Sequence, residues 1–252
     1  MQRTPETTAT LASASRRRLL GMATAVAGAS ILAGRGHAQP STGTPAAGSA
    51  ADTQTVPLRR GLIGYMLAHE QFPIPKLIRH GAMASQAGFH LLATSDHLQP
   101  WQANERHAGE AWVTLAALGE HAAQSWMGTT VTCPTLRYNP AVVAETFASL
   151  GDLYPGRIFL GVGSGEAINE QAATGIWPKW SERWDRLIEA IDIIRRLWTA
   201  EELTYQGKYY NVHARLWDLP RQPIPLLTAA NGVKSIRLAG IHGDGLITDP
   251  KT

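Results

Sequence analysis

A chain of 252 residues, 44% hydrophobic and 17% charged, is long and apolar enough to bury a sizeable core, which excludes the disordered and fibrous classes. Its formal charge of +3 does not mark a nucleic-acid binder, because residues 1–38 hold five arginines and one glutamate while the remainder holds 18 basic and 19 acidic residues. Aromatic residues are not interleaved with a basic patch, so the other sign of a nucleic-acid groove is missing too.

Cys133 is the single cysteine, which rules out an intrachain disulfide and a cysteine-built metal cage and leaves packing to stabilise the chain. The N-terminus reads as an address. Ser15-Arg16-Arg17-Arg18-Leu19-Leu20-Gly21 leads into an apolar, small-residue stretch from Met22 to Ala33, and Gly36-His37-Ala38 offers small residues for cleavage. This is the layout of a twin-arginine signal peptide over residues 1–38, with the export machinery as its partner and an exported, cell-envelope or periplasm-like location as its consequence. An uncleaved anchor is the alternative, although the run is short and weakly hydrophobic for a membrane span. Residues 39–58, rich in Ser, Thr, Pro, Gly and Ala, read as a flexible tether, and the body starts at 59. The twin-arginine route carries folded proteins, which suits a body that takes up an organic cofactor before export.

In the body, Gly61–Leu67 is a short apolar run suited to a first buried strand. Apolar residues at helical spacing follow from Pro73 to Gln86, with Gly88 as the stop. Phe89–Thr94 is a second strand, and the polar stretch Ser95-Asp96-His97-Leu98-Gln99-Pro100-Trp101 lies at its C-terminal mouth. Glu110–Gln124 is a helix, Trp126–Thr132 a third strand, and Asn139-Pro140 opens a helix that runs to about Leu153, with Pro140 where its missing N–H costs nothing. Arg157–Val162 is a fourth strand ending in Gly161-Val162-Gly163-Ser164-Gly165-Glu166. Trp180–Trp198 is a long amphipathic helix, and Glu202–Tyr210 a hairpin turning at Gln206-Gly207. Ile224–Ala229, Val233–Ile241 and Gly245–Thr248 complete the series as strand, helix and strand.

Six strand–helix repeats in sustained alternation predict an α/β fold, and specifically a (β/α)8 barrel short of two strands. Such a barrel needs about 250 residues, whereas 214 follow position 38. A doubly wound open sheet is the alternative.

The unusual stretches all fall at C-terminal strand ends: Ser95-Asp96-His97, Thr130-Val131-Thr132-Cys133-Pro134, Gly163–Asn169 and Ala230-Asn231-Gly232. Parallel α/β folds gather their chemistry on that rim. The bland reading makes Asp96 a turn cap, Trp101 a cover for the core, and the glycines a simple turn. A Rossmann fingerprint is absent, since Glu166 stands where a third glycine is needed and no helix starts cleanly behind it. The glycines instead suit close approach of backbone to a flat ring or phosphate. The imidazole side chain, unperturbed, takes a proton near neutral pH, so His97 suits a base, with Asp96 or another carboxylate to orient it. Glu166 suits the complementary acid if it is partly buried. The other eight histidines are scattered without metal-ligand spacing, no metal site is expected, and neither a Gly-x-Ser-x-Gly elbow nor a Walker A loop occurs. Cys133 reads as a small buried residue.

Three motifs together carry a resemblance: Ser95–Trp101, Arg137-Tyr138-Asn139-Pro140-Ala141, and Leu160-Gly161-Val162-Gly163-Ser164-Gly165-Glu166-Ala167-Ile168-Asn169-Glu170. From about Gly61 to Lys251 the chain resembles the coenzyme F420-dependent glucose-6-phosphate dehydrogenases of the luciferase-like superfamily. With its leader it is similar to the exported branch associated with hydroxymycolic acid dehydrogenase. The resemblance implies a (β/α)8 barrel, a deazaflavin cofactor and a homodimer of the full-length protein. It implies that Asp96 contacts the deazaflavin, His97 faces the alcohol as base, Trp101 packs beside the reacting carbon and Glu166 protonates the reduced ring. It implies a cis peptide at Thr130–Val131 behind the ring, and cofactor contacts from Thr130, Val131, Gly165, Asn169, Ala230 and Gly232. Thr130 stands where the sugar-phosphate enzymes have Ser, Cys133 where they have Thr, and Asn231 where they have Gly. Lys251 matches one cation of their phosphate site, and the other two would lie beyond Thr252.

The resulting expectation is hydride transfer from a secondary alcohol, small or lipidic such as a hydroxymycolate, to coenzyme F420, giving a ketone. The rivals are an F420-dependent glucose-6-phosphate dehydrogenase, a flavin mononucleotide monooxygenase on the same barrel, and a non-catalytic protein that binds coenzyme F420.

Overall fold

Short apolar runs bounded by glycine and polar residues have one economical way to bury both faces, which is to pair side by side beneath a layer of helices. In the computed structural model, which describes residues 61–199 and 201–249, six of them do so as a parallel sheet. The strands are β1 (Gly64–Leu67), β2 (Leu91–Thr94), β3 (Trp126–Thr129), β4 (Ile158–Val162), β7 (Leu226–Ala229) and β8 (Gly245–Ile247), paired in that order. β5 (Leu203–Gln206) and β6 (Asn211–Ala214) form a separate antiparallel ladder. The signal peptide, the tether and Lys251 lie outside the described residues.

The order never reverses, so the sheet has no switch point and the doubly wound alternative does not apply. Helices α1 (Ile74–Gln86), α2 (Ala111–Leu118), α3 (Pro140–Leu153), α5 (Trp180–Leu197) and α6 (Val233–His242) cover one face. The other face turns Tyr65, Leu91, Ala93, Phe159, Leu227 and Ile247 into a cavity. This is the expected (β/α)8 arrangement short of two strands, with β1 and β8 as edges. Met66 on β1, Ile63 just before it and Leu246 on β8 are exposed accordingly. Among the described residues no helix is long and apolar enough to cross a membrane.

The core lies between sheet and helices. Leu92, Met127, Leu160 and Leu226 from the strands meet Leu77, Leu115, Val143, Phe147, Leu187, Ile191 and Ile194 from the helices in one buried cluster. Burying each of these side chains is worth about 1.5–3 kcal/mol. Asn139 caps α3 by accepting the Ala141 N–H at 2.9 Å, with Pro140 in the first turn as expected.

Several elements differ from the sequence reading. α2 stops at Leu118 instead of Gln124, with Gly119 as its C-cap packed against the Tyr154 ring. β3 stops at Thr129 instead of Thr132, and the peptide that follows, Thr130–Val131, is cis, as the resemblance implies. The hairpin reaches Ala214, with Glu189 accepting the N–H groups of Lys208, Tyr209 and Tyr210 across its turn. A helix that the sequence reading denied, α4 (Ala167–Thr174), begins directly after Glu166 and ends on Gly175 at φ +71°.

Register levels the strand ends: Leu67 sits beside Thr94, and Thr94 beside Thr129. The residues that follow therefore emerge together at one rim. β4 joins them by close backbone approach, Thr132 N–H donating to Gly161 O at 2.9 Å and Gly163 N–H to Thr132 O at 3.0 Å. A Cβ on Gly161 would land on the carbonyl oxygen of Thr129. Gly161→Ala is therefore expected to cost at least about 1–3 kcal/mol of stability, read as a lower urea midpoint at unchanged slope.

Candidate active site

The rim opens into a cavity of about 1380 Å³ that continues down the inner face of the sheet. That exceeds the usual range for a small-ligand pocket, about 300–1,000 Å³, and leaves room for a cofactor together with a substrate.

His97 stands near its centre, 14% exposed, with Trp101 leaning on it at a ring-centroid distance of 5.4 Å. Trp101 itself is 62% exposed, so it walls the mouth and does not cover the core. His97 Nδ1 lies 2.7 Å from Glu70 Oε1, a close contact with a buried carboxylate that favours the ring proton on that nitrogen. Its other nitrogen, Nε2, faces Glu166 Oε2 at 3.7 Å. Glu70 is thus the carboxylate that orients the imidazole, and the sequence reading missed it. The signal was available: Ala68-His69-Glu70-Gln71 follows the first strand just as Ser95-Asp96-His97 follows the second. Burial pushes the Glu70 carboxyl up, but contact with His97, a backbone N–H and the Ser95 hydroxyl outweigh it and hold the group below its ordinary value.

Asp96 does not orient His97. Its buried carboxylate accepts from Thr132 Oγ1 at 2.6 Å, Arg137 Nη2 at 2.8 Å and Tyr138 OH at 3.2 Å. A carboxylate offers about four acceptor positions, so roughly one is left for the cavity that Asp96 lines. Arg137 continues the network. Its backbone N–H donates to Glu170 Oε2 at 2.8 Å and its guanidinium Nε lies 3.7 Å from Glu170 Oε1. Burial raises the Glu170 carboxyl, opposed by Arg137. Tyr138, whose hydroxyl is also raised by burial, stacks between that guanidinium and the Trp112 ring. The motif Arg137–Ala141 carried the resemblance without an assigned task; its first two residues are the floor under Asp96.

Glu166 is placed beside His97 as expected, but its side chain is 52% exposed, so the burial that its acid role was to draw on is not there. Asn169 lines the cavity, yet its Oδ1 accepts the N–H groups of Leu98 at 2.9 Å and Gln99 at 3.3 Å, so it pins the loop that carries His97. Gly165 adopts φ +79°, and a Cβ there would meet Cys133 Sγ and Glu170 Cγ at 2.6 Å. Cys133 is buried, its thiol pushed up to about 12 by desolvation, so it is inert filling. Thr130, Val131, Ala230 and Gly232 line the same cavity. Asn231 accepts from Thr248 Oγ1 at 2.9 Å and Asp249 N–H at 3.2 Å, joining the loops after β7 and β8. Among the described residues no group of three or more His, Cys, Asp or Glu is arranged to hold a metal ion.

The whole combines a histidine between two carboxylates with a floor of small residues (Gly163, Ala229, Ala230) beside Val131. A flat ring fits such a floor, where larger side chains would fill the space.

Comparison with known proteins agrees with that geometry. A family model described as luciferase-like monooxygenase matches residues 58–252. The F420-dependent hydroxymycolic acid dehydrogenase of Mycobacterium tuberculosis is 49% identical over 196 residues, 77% of this chain and 54% of that protein. The F420-dependent glucose-6-phosphate dehydrogenase of Gordonia bronchialis is 47% identical over 188 residues, 73% of this chain and 56% of that protein. The chain thus spans little more than half the length of these relatives. Among solved structures, an F420-dependent secondary alcohol dehydrogenase in complex with an F420–acetone adduct superposes with a TM-score of 0.72 at 37% identity, covering 74% of this chain and 57% of that one. An F420-dependent tetrahydromethanopterin reductase from Methanopyrus kandleri, at 19% identity and a TM-score of 0.60, shares the fold.

Arg137→Met leaves Asp96 and Glu170 buried without their cation, and is expected to cost about 3–5 kcal/mol. The loss should be larger at pH 8 than at pH 5, because Glu170, already raised by burial, can then take a proton in the folded variant at the lower pH. Urea unfolding at the two pH values measures it.

Proposed function

Because the chain belongs to the luciferase-like monooxygenase family, we propose that it serves as a coenzyme F420-dependent dehydrogenase that oxidises a secondary alcohol to a ketone. The observation that carries this reading is the setting of His97, with Nδ1 against a buried carboxylate and Nε2 turned to the cavity. The two curated relatives and the solved alcohol dehydrogenase, each F420-dependent by name, support it.

When bound, coenzyme F420 supplies a flat ring that accepts a hydride and a proton. Asp96, Thr130, Val131, Gly165, Asn169, Ala230 and Gly232 are the residues to hold it. Glu70 keeps the Nδ1 proton of His97 facing inward, which leaves Nε2 a bare acceptor. His97 takes the hydroxyl proton there as the carbinol hydride departs. Glu166, half exposed beside the same imidazole, would supply the proton that the flat ring takes up with the hydride. Trp101 walls the alcohol in beside His97.

A hydroxymycolate or another envelope lipid is the substrate class we favour, on the strength of the Mycobacterium tuberculosis relative and the twin-arginine leader. Delivery to the cell envelope and a homodimer of the full-length protein complete the reading. The family description itself raises a second one, a flavin mononucleotide monooxygenase.

Titration of the purified protein with coenzyme F420 and with flavin mononucleotide separates the two readings; saturable uptake of the flavin alone would sink the first. His97→Ala is expected to lower alcohol-dependent reduction of coenzyme F420 by about 10²–10⁴-fold while leaving its binding nearly unchanged, and undiminished turnover would remove His97 as base. Replacing Arg16 and Arg17 together by lysine should retain a leader fusion in the cytoplasm, seen by fractionation.

A further inference from the structure

Glu70 is itself held from behind. Its Oε2 accepts the Ser95 hydroxyl at 3.0 Å, and the Ser95 oxygen accepts the backbone N–H of His69 at 2.9 Å. Of these two neighbours one can only donate, so the single hydroxyl proton of Ser95 points at Glu70. Ser95 and His69 are both buried. His69 Nδ1 lies 2.8 Å from the Ser95 carbonyl oxygen, an acceptor, so that nitrogen carries the ring proton. Nε2 is then the acceptor nitrogen, 2.8 Å from Thr114 Oγ1, a hydroxyl that also reaches the Glu110 carbonyl at 3.0 Å. Donors from both sides therefore converge on Glu70, the Ser95 hydroxyl from behind and His97 Nδ1 from the cavity side.

The register explains why these groups meet. Leu67 and Thr94 are paired at the ends of β1 and β2, so His69 and Glu70 emerge opposite Ser95. A carboxylate has two oxygens. The one anchored by Ser95 fixes where the other points, and that other one is Oε1 against His97.

We propose that Ser95 is a positioning residue, which by anchoring Glu70 Oε2 holds Oε1 on His97 Nδ1 and so fixes the imidazole with its proton on Nδ1 and Nε2 bare toward the cavity. The inference rests on His97 being the base, as argued above. A histidine that lost this partner would share its proton between the two nitrogens and would present the wrong atom to an alcohol part of the time. The charged groups facing His97 are Glu70 after β1 and Glu166 after β4, while Asp96 on its own loop is committed to Arg137 and His69 stays neutral behind. With Ser95 gone, Glu70 swings and His97 loses its nearest negative charge, so neither ring nitrogen is favoured for the proton.

Nitrogen-15 spectra of histidine in the cofactor-free protein test this without turnover. The wild type should show neutral His97 as a single Nδ1–H tautomer. Ser95→Ala should show a mixture, Ser95→Thr should restore the wild-type pattern, and kcat for alcohol oxidation in Ser95→Ala should fall about tenfold with KM and coenzyme F420 affinity nearly unchanged. Should Ser95→Ala not fold, Ser95→Cys makes the same comparison with a weak donor of similar size. A folded variant that keeps one tautomer overturns the proposal while leaving the dehydrogenase reading intact. A wild type that binds no coenzyme F420 overturns the dehydrogenase reading, and the tautomer comparison still decides the role of Ser95.

Discussion

The site depends on one buried cation. Arg137, on the stretch after β3, holds Asp96 from the stretch after β2 and Glu170 from α4, the helix that follows β4. Three neighbouring strand ends are thereby tied at a single guanidinium. A buried charge is costly to desolvate, and the cost is offset here because its neighbours are ionised or strongly hydrogen-bonded: the planar fork meets Asp96 Oδ1 at 2.8 Å and Asp96 O at 3.0 Å, while Tyr138 covers its face. Such an assembly contributes less to net stability than to geometry. It leaves the loops one arrangement in which the carboxylates are paired, and in that arrangement His97, the residue after Asp96, is set over the cavity.

Register supplies the complementary constraint. Parallel strands that end level release their next residues side by side, so His69 and Glu70, Ser95 to His97, and Thr130 to Thr132 become neighbours although they are remote in sequence. The register itself follows from packing: a slip of one residue would turn Leu92 and Met127 out of the core cluster. The core thus determines the chemistry indirectly, by deciding which loop atoms stand within hydrogen-bonding distance.

That division explains what could be read from the residues alone. Alternation of apolar runs with helical spacing is a local signal, and it located the six sheet strands and five of the six helices. α4 escaped because its eight residues, Ala167–Thr174, carry few apolar side chains and its start coincides with the glycine turn that drew attention. The clustering of His97, Glu166, Asp96, Asn169 and Gly165 on one rim was legible because each follows a strand. Their pairings were not. Nothing in Ser95-Asp96-His97 says that the aspartate turns to Arg137 while the histidine turns to Glu70, since both outcomes depend on which neighbouring strand end supplies a partner. His69, passed over among the scattered histidines, is wholly buried, and its ring nitrogens bond to the Ser95 carbonyl and to Thr114 behind Glu70.

The two glutamates that flank His97 show how environment divides labour between chemically identical groups. Glu70 is 9% exposed and anchored on Ser95, whereas Glu166 is 52% exposed and stands at the first turn of α4. A buried, hydrogen-bonded carboxylate beside an imidazole stays ionised and fixed, so it sets orientation and tautomer and exchanges no proton itself. An exposed one is under no such constraint. The sequence reading looked for the proton donor in a partly buried Glu166, whereas the structure buries Glu70 and leaves Glu166 half exposed, so the two carboxylates that flank the imidazole differ in how firmly they are held.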